Sequence, residues 1–233
     1  MRWTGPRDAP SVSDMEFDIH GNPDYGQVSV RLAPGQKLIT ESGAMSRMSV
    51  GLELESHILG GILPAVVRKL FGGESFFIGE YGGERGGELT LSPSLPGTLL
   101  HRRLTGETFH ITAGSFVACS SEVQLKTKFG GLRAFFSGEG AFFLEVSGEG
   151  DLFYNAYGAV HEKQVEGSLV VDTGHLVAWE PSLSYKIGGM GGLKQTLFSG
   201  EGLVMRFEGR GKLWVQTRHL ASTAGWLSPF CIG

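Results

Sequence analysis

Three glutamates follow a glycine in three closely similar stretches: Phe71-Gly72-Gly73-Glu74-Ser75, Phe136-Ser137-Gly138-Glu139-Gly140 and Phe198-Ser199-Gly200-Glu201-Gly202. Carboxylates at repeated positions suit two kinds of chemistry. Gathered around an axis, Glu74, Glu139 and Glu201 would hold a hard cation or clamp a partner's basic residues. Held apart, each would satisfy only the turn leading into the next strand, and that is the simpler expectation. The seven histidines, His20, His57, His101, His110, His161, His175 and His219, form no H-x-H, H-E-x-x-H or Cys/His pair at ligand spacing. His175, in Thr173-Gly174-His175-Leu176, is expected as a core or turn histidine. There is no G-x-S-x-G elbow, and the paired glycines spell neither G-x-G-x-x-G nor a P-loop. No catalytic residue, metal or cofactor is therefore expected.

The elements that must position these glutamates repeat with them. The Gly-Glu steps lie 65 and 62 residues apart, and the similarity extends far on either side. Upstream come Gly43-Ala44-Met45, Gly114-Ser115-Phe116 and Gly174-His175-Leu176, then the alternating pairs Leu52/Leu54, Val123/Leu125 and Leu183/Tyr185. Downstream, Phe142/Leu144/Val146 and Leu203/Met205/Phe207 keep the period of two that a half-buried strand requires. Gly148-Glu149-Gly150 and Gly209-Arg210-Gly211 suit hairpin reversals before new strands at Leu152 and Leu213.

The expected fold is all-β: three tandem repeats of a small β-sandwich or double-stranded β-helix unit in one compact pseudo-threefold body. The repeats run from about 15 to 98, 99 to 162 and 163 to 218, because a hairpin unit of that size buries little alone. A first hairpin pairs Met15–Ile19 with Gln27–Leu32, and strands follow near Lys37–Glu41 and Met48–Glu55. Residues 1–14 are expected to be a disordered lead-in. Pro64 and the apolar run after it predict a short helix near 64–71.

Composition narrows the function. Glycine contributes 37 of 233 residues, which without a Gly-X-Y period means frequent turns. Lys and Arg total 20 against 24 acids, for a net charge of −4, and the basic spots Arg68-Lys69, His101-Arg102-Arg103 and Lys126/Lys128 do not recur between repeats. This argues against nucleic acid, which needs a basic stripe to neutralise phosphates. Cys119 and Cys231 make no disulfide framework, and Cys119 in its apolar run is expected to pack as a small hydrophobe. The first 14 residues lack an apolar h-region, and no apolar span reaches 18 residues, so a cytoplasmic location is expected.

Two apolar features ask for a surface to cover them. Ile58 to Phe71 would form a lid on the body, or dock a partner or a membrane surface peripherally. Trp226, Leu227 and Phe230, in the tail 219–233, would pack on the chain's own body or on a neighbouring subunit. The function expected is that of a non-enzymatic scaffold or binding protein acting through its β surface as a homo-oligomer. RNA binding, or a metal- or small-molecule-dependent enzyme, are the alternatives.

Glu41-Ser42-Gly43-Ala44-Met45, Gly73-Glu74-Ser75-Phe76-Phe77, Leu91-Ser92-Pro93 with Pro96-Gly97, Val171-Asp172-Thr173-Gly174-His175-Leu176-Val177 and Val215-Gln216-Thr217-Arg218 resemble the Altered Inheritance of Mitochondria 24 family, also catalogued as domain of unknown function 124. The resemblance runs from about Met15 to Phe230. It implies three repeats, each similar to the β-sandwich subunit of tryptophan RNA-binding attenuation protein, and it brings no catalytic residues. The family name reflects mitochondrial biogenesis in fungi, and prokaryotic members have no assigned biochemistry.

Overall fold

The structure, a computed structural model, describes residues 15–58, 77–129, 142–189 and 203–231. Alternating apolar side chains make most of it strand. In chain order these are β1 (Glu16–His20), β2 (Gln27–Leu32), β3 (Leu38–Glu41), β4 (Met45–Met48), β5 (Glu53–Ile58), β6 (Phe77–Gly82), β7 (Gly87–Leu91) and β8 (Gly97–Thr112). Then come β9 (Phe116–Ser120), β10 (Gln124–Phe129), β11 (Phe142–Tyr157), β12 (Val160–Asp172), β13 (Leu176–Trp179), β14 (Ser184–Gly188) and β15 (Val204–Gln216). One helix, α1 (Leu220–Leu227), and a 3-10 turn at Ser228–Phe230 follow.

Two open sheets result. One has the order β1-β2-β7-β4; the other runs β12-β15-β13-β8-β11-β9-β3-β6-β5, with β10 on β11 and β14 on β15. The long strands serve two ladders each. The first half of β11 lies between β10 and the end of β8, and its second half lies between β9 and the start of β8. Likewise β15 has β14 beside its first half, β13 beside its second, and β12 along its whole length.

These long strands correct the expected reversals. The chain does not turn back at Gly148-Glu149-Gly150 or Gly209-Arg210-Gly211 but passes straight through within β11 and β15. Gly209 (φ 126°) lies directly opposite Gly167 (φ 107°) in the β12–β15 ladder, so two neighbouring strands bend together. Only glycine takes that backbone region cheaply, and here it redirects a strand rather than ending it. The strand expected over Met48–Glu55 is likewise interrupted: β4 ends at Met48 and a turn leads into β5 at Glu53. β12 is one strand from Val160 to Asp172, its ladder with β15 continuous throughout. The first hairpin forms as expected, with Phe17 opposite Val30. The lead-in 1–14 and the helix expected near 64–71 lie outside the described residues.

Three buried clusters form the core, the first where the two sheets meet and the other two among strands of the larger sheet. In the first, Val28, Val30, Leu32, Leu89 and Leu91 face Leu38 and Tyr81 and meet Val117, Ala118 and Phe153. The second gathers Phe109, Ile111, Leu144, Val146 and Leu152 with Val177, Ala178 and Trp214. Phe143, Trp179, Leu183, Met205, Phe207 and Leu213 form the third. Each large side chain withdrawn from water stabilises the fold by about 1.5–3 kcal/mol. Among the described residues, no helix is long and apolar enough to cross a membrane.

Candidate functional site

Glu74, Glu139 and Glu201 lie outside the described residues, as does most of the Ile58–Phe71 run. Their segments, 59–76, 130–141 and 190–202, each connect the two strands of an antiparallel pair: β5 with β6, β10 with β11, and β14 with β15. Among the described residues, no group of His, Cys, Asp or Glu is arranged to hold a metal ion.

The ionisable groups that do meet are built into the strand pairs. Asp151, buried at the bend of β11, accepts from Arg103 Nη1 at 2.7 Å and lies 2.8 Å from His101 Nε2. Burial alone would raise its carboxyl, but the His101 hydrogen bond and the Arg103 charge outweigh this and hold it below the ordinary aspartate value. His101 is in turn wedged between Phe17 and Phe153, with ring centroids 4.4 and 5.2 Å away. The arrangement locks β8 to β11 and covers the core.

A second set surrounds Trp179. His110 stacks on the indole at 5.1 Å and 11°, Phe143 and Tyr185 meet it edge-on, and Glu145 lies 3.9 Å from His110 and 3.3 Å from Lys128. Burial pushes the His110 imidazole below its ordinary value despite Glu145. Basic residues that would have faced a phosphate are spent in these contacts: Arg103 on Asp151, Lys128 on Glu145, and Arg102 lying 4.2 Å over the Phe109 ring.

A surface groove of about 240 Å³ is lined by Lys37, Glu53, Glu55, Glu80 and Glu84 together with three glycines. Lys37 is ion-paired to Glu80 within it. Its acidic walls have the wrong sign for an anionic ligand.

The tail is the part of the predicted site that the structure describes. His219 caps α1, its Nδ1 accepting from the Ser222 N–H at 3.1 Å, and its Nε2 lies 3.6 Å from Asp172 at the end of β12. Thr223 receives the Tyr157 hydroxyl at 3.2 Å. So anchored, the helix points its large groups outward: Trp226 is 69% exposed, Leu227 42% and Phe230 74%, with the two rings 5.6 Å apart. They are not inserted into the chain's own body. His175 is a turn histidine, its Nδ1 2.8 Å from the Gln216 carbonyl oxygen, and Cys119 is fully buried.

Two groups escaped the sequence reading. Glu41, at the end of β3, is half-buried, and burial raises its carboxyl to about 7. Asp151, just after the glycines read as a reversal, was not singled out. Neither carries a local signal, because burial at both comes from strands distant in sequence.

An uncharacterised protein of Streptococcus pyogenes serotype M6 is 28% identical over 225 residues, covering 93% of this chain and 91% of that one. An X-ray crystal structure of a Streptococcus pyogenes protein superposes with a TM-score of 0.78 at 28% identity, covering 93% of this chain and 99% of the other. Residues 17–218 match the family described as Mitochondrial biogenesis AIM24, and the chain belongs to that family.

Proposed function

We propose that this chain is a non-enzymatic scaffold made of three copies of one β unit, which self-associates and docks a protein partner through its C-terminal rings. The observation that carries the docking reading is the outward presentation of Trp226, Leu227 and Phe230 on an anchored helix. Large rings held in water on a fixed support usually mark a contact surface.

The three-copy part draws support from the ladders. β6 lies between β5 and β3; the first half of β11 lies between β10 and β8; the first half of β15 lies between β14 and β12. Then β7 lies between β2 and β4, as the second halves of β11 and β15 lie between β8 and β9 and between β12 and β13. β4, β9 and β13 each skip one residue in these ladders, at Ser46, Val117 and Val177. A coincidence of that detail favours descent from one unit.

The buried Asp151 carboxylate with its His101 partner, and His110 beside Glu145, favour a structural over a catalytic role, since these groups are spent within strand pairs. The test uses light scattering and affinity capture. Intact protein is expected to exceed its chain mass of 25.0 kDa. Trp226→Ser/Phe230→Ser bait is expected to lose a protein that wild-type bait retains from extract of the source cells. Capture unaffected by both substitutions would remove the docking role, and a 25.0 kDa particle would remove self-association.

A further inference from the structure

We infer that chains join head to tail, the free edge of β4 in one pairing with the second half of β12 in the next. The inference rests on the three-copy and self-association readings above and names the surface they require.

Two joints of this kind already exist inside the chain. β9 pairs with β3, placing Ile39 opposite Cys119 and Thr40 opposite Ala118. β13 pairs with the end of β8 in the same register, placing His110 opposite Trp179 and Ile111 opposite Ala178. In each joint, the strand of one copy accepts the corresponding strand of the following copy on its open side. The series then stops with one unused edge of each kind. Residues 168–172 of β12 correspond to β3 and the end of β8, and among the described strands β12 pairs with β15 alone. β4 corresponds to β9 and β13, and among the described strands it pairs with β7 alone.

Burial marks where the missing members belong. Cys119 and Trp179 are fully buried, whereas their counterpart Met48 is 40% exposed. Ile39 and His110 are partly buried, whereas their counterpart Val170 is 41% exposed. Carrying the register of the two internal joints forward sets Val170 opposite Met48 and Val171 opposite Arg47. The two exposed apolar side chains then cover each other, and two rows of unpaired backbone groups are satisfied.

The occupant is a second copy because both edges belong to this chain and the joint between them occurs twice within it. The pairing is heterologous, so it closes into a ring or extends as a filament according to the rotation per joint. Arg47 and Thr90 stand where the other copies place Ala118 and Ala178, and Phe153 and Trp214. The new joint is therefore made by strand edges with a polar back, without a shared core, and it is expected to be reversible and concentration-dependent. α1 begins beside this edge, through His219 and Asp172.

The experiment places a lysine at either edge of the full chain. Val170→Lys and Met48→Lys proteins are each expected to fall to 25.0 kDa with near wild-type circular dichroism. Mixed one to one, they are expected to form a dimer and nothing larger, since each retains the edge the other lacks. As a check independent of the lysines, Val170→Cys/Met48→Cys/Cys231→Ser protein is expected to give disulfide-linked multimers on mild oxidation. Multimers that survive both lysines, a mixture that stays at 25.0 kDa, or a disulfide formed only within one chain would each overturn the joint while leaving self-association standing. A wild-type particle of 25.0 kDa at every concentration would overturn self-association itself, and the joint with it.

Discussion

The imidazole of His219 lies directly on the backbone of Gly174: a methyl group added at that glycine would fall 1.7 Å from Nε2. The C-terminal helix is therefore seated on a spot that only a residue without a side chain provides. Gly174→Ala is expected to lift His219 off Asp172 and free α1 while leaving the sheets intact. Trypsin cleavage after Arg218 should then speed up about tenfold, as a loss of ~1.4 kcal/mol in anchoring implies. An unchanged cleavage rate would show that Tyr157 and Thr223 alone hold the helix.

Asp151 should be costly to neutralise. Asp151→Asn leaves Arg103 and His101 facing an amide across a largely buried gap, and a loss of about 2 kcal/mol at pH 7 is expected, reduced from a fully buried pair because both partners reach solvent. The carboxyl is held below its ordinary value, so its contribution is present above that value and disappears as pH falls through the lowered one. Denaturant melts should show the variant losing less stability than wild type on acidification. Parallel wild-type and variant curves would refute the assignment.

Glu41 works in the opposite sense. Its carboxyl titrates near 7 when folded and near 4.5 when free, so ionisation opposes folding increasingly as pH rises from about 4.5 to about 7. Glu41→Gln is expected to match wild type near pH 4.5 and to exceed it by about 1–3 kcal/mol at pH 8. Equal stability at both pH values would mean that the ionised group finds solvent.

The thiols should differ sharply. Cys119 is fully buried, and burial pushes its thiol far above the ordinary range, while Cys231 is exposed. One thiol per chain is expected to react with a disulfide reagent in native protein and two after unfolding, with Cys231→Ser abolishing the native signal. Two fast native thiols would place Cys119 at the surface.

Period-two patterns were readable where one face of a strand is buried throughout, as at Leu144/Val146 and Met205/Phe207. β4 was not readable, because all four of its residues are exposed and Met45-Ser46-Arg47-Met48 has no alternation to betray it. The bends at Gly148 and Gly209 looked like reversals because the same backbone tolerance serves either purpose; pairing with β8 and β12 decides between them. α1 escaped because Leu220-Ala221-Ser222-Thr223-Ala224-Gly225-Trp226-Leu227 buries no side chain, leaving no helical stripe to detect. Trp226 and Phe230 stood out as large apolar groups from composition alone. The partners of Asp151 were not, since His101 and Arg103 come from β8.

The passage of β11 from one ladder to another has a kinetic consequence. Its first half closes on β10, its second half on β9, and β9 is at the same time bonded to β3, from the beginning of the chain. Unlike a stack of independent layers, in which one layer frays while its neighbours stand, neither β9 nor β11 can be peeled away without opening two cores, since each contributes side chains to both. Heat or denaturant should accordingly melt the chain in one step. Refolding should be slow, because β3 and β9 must find each other across a long loop before either core excludes water.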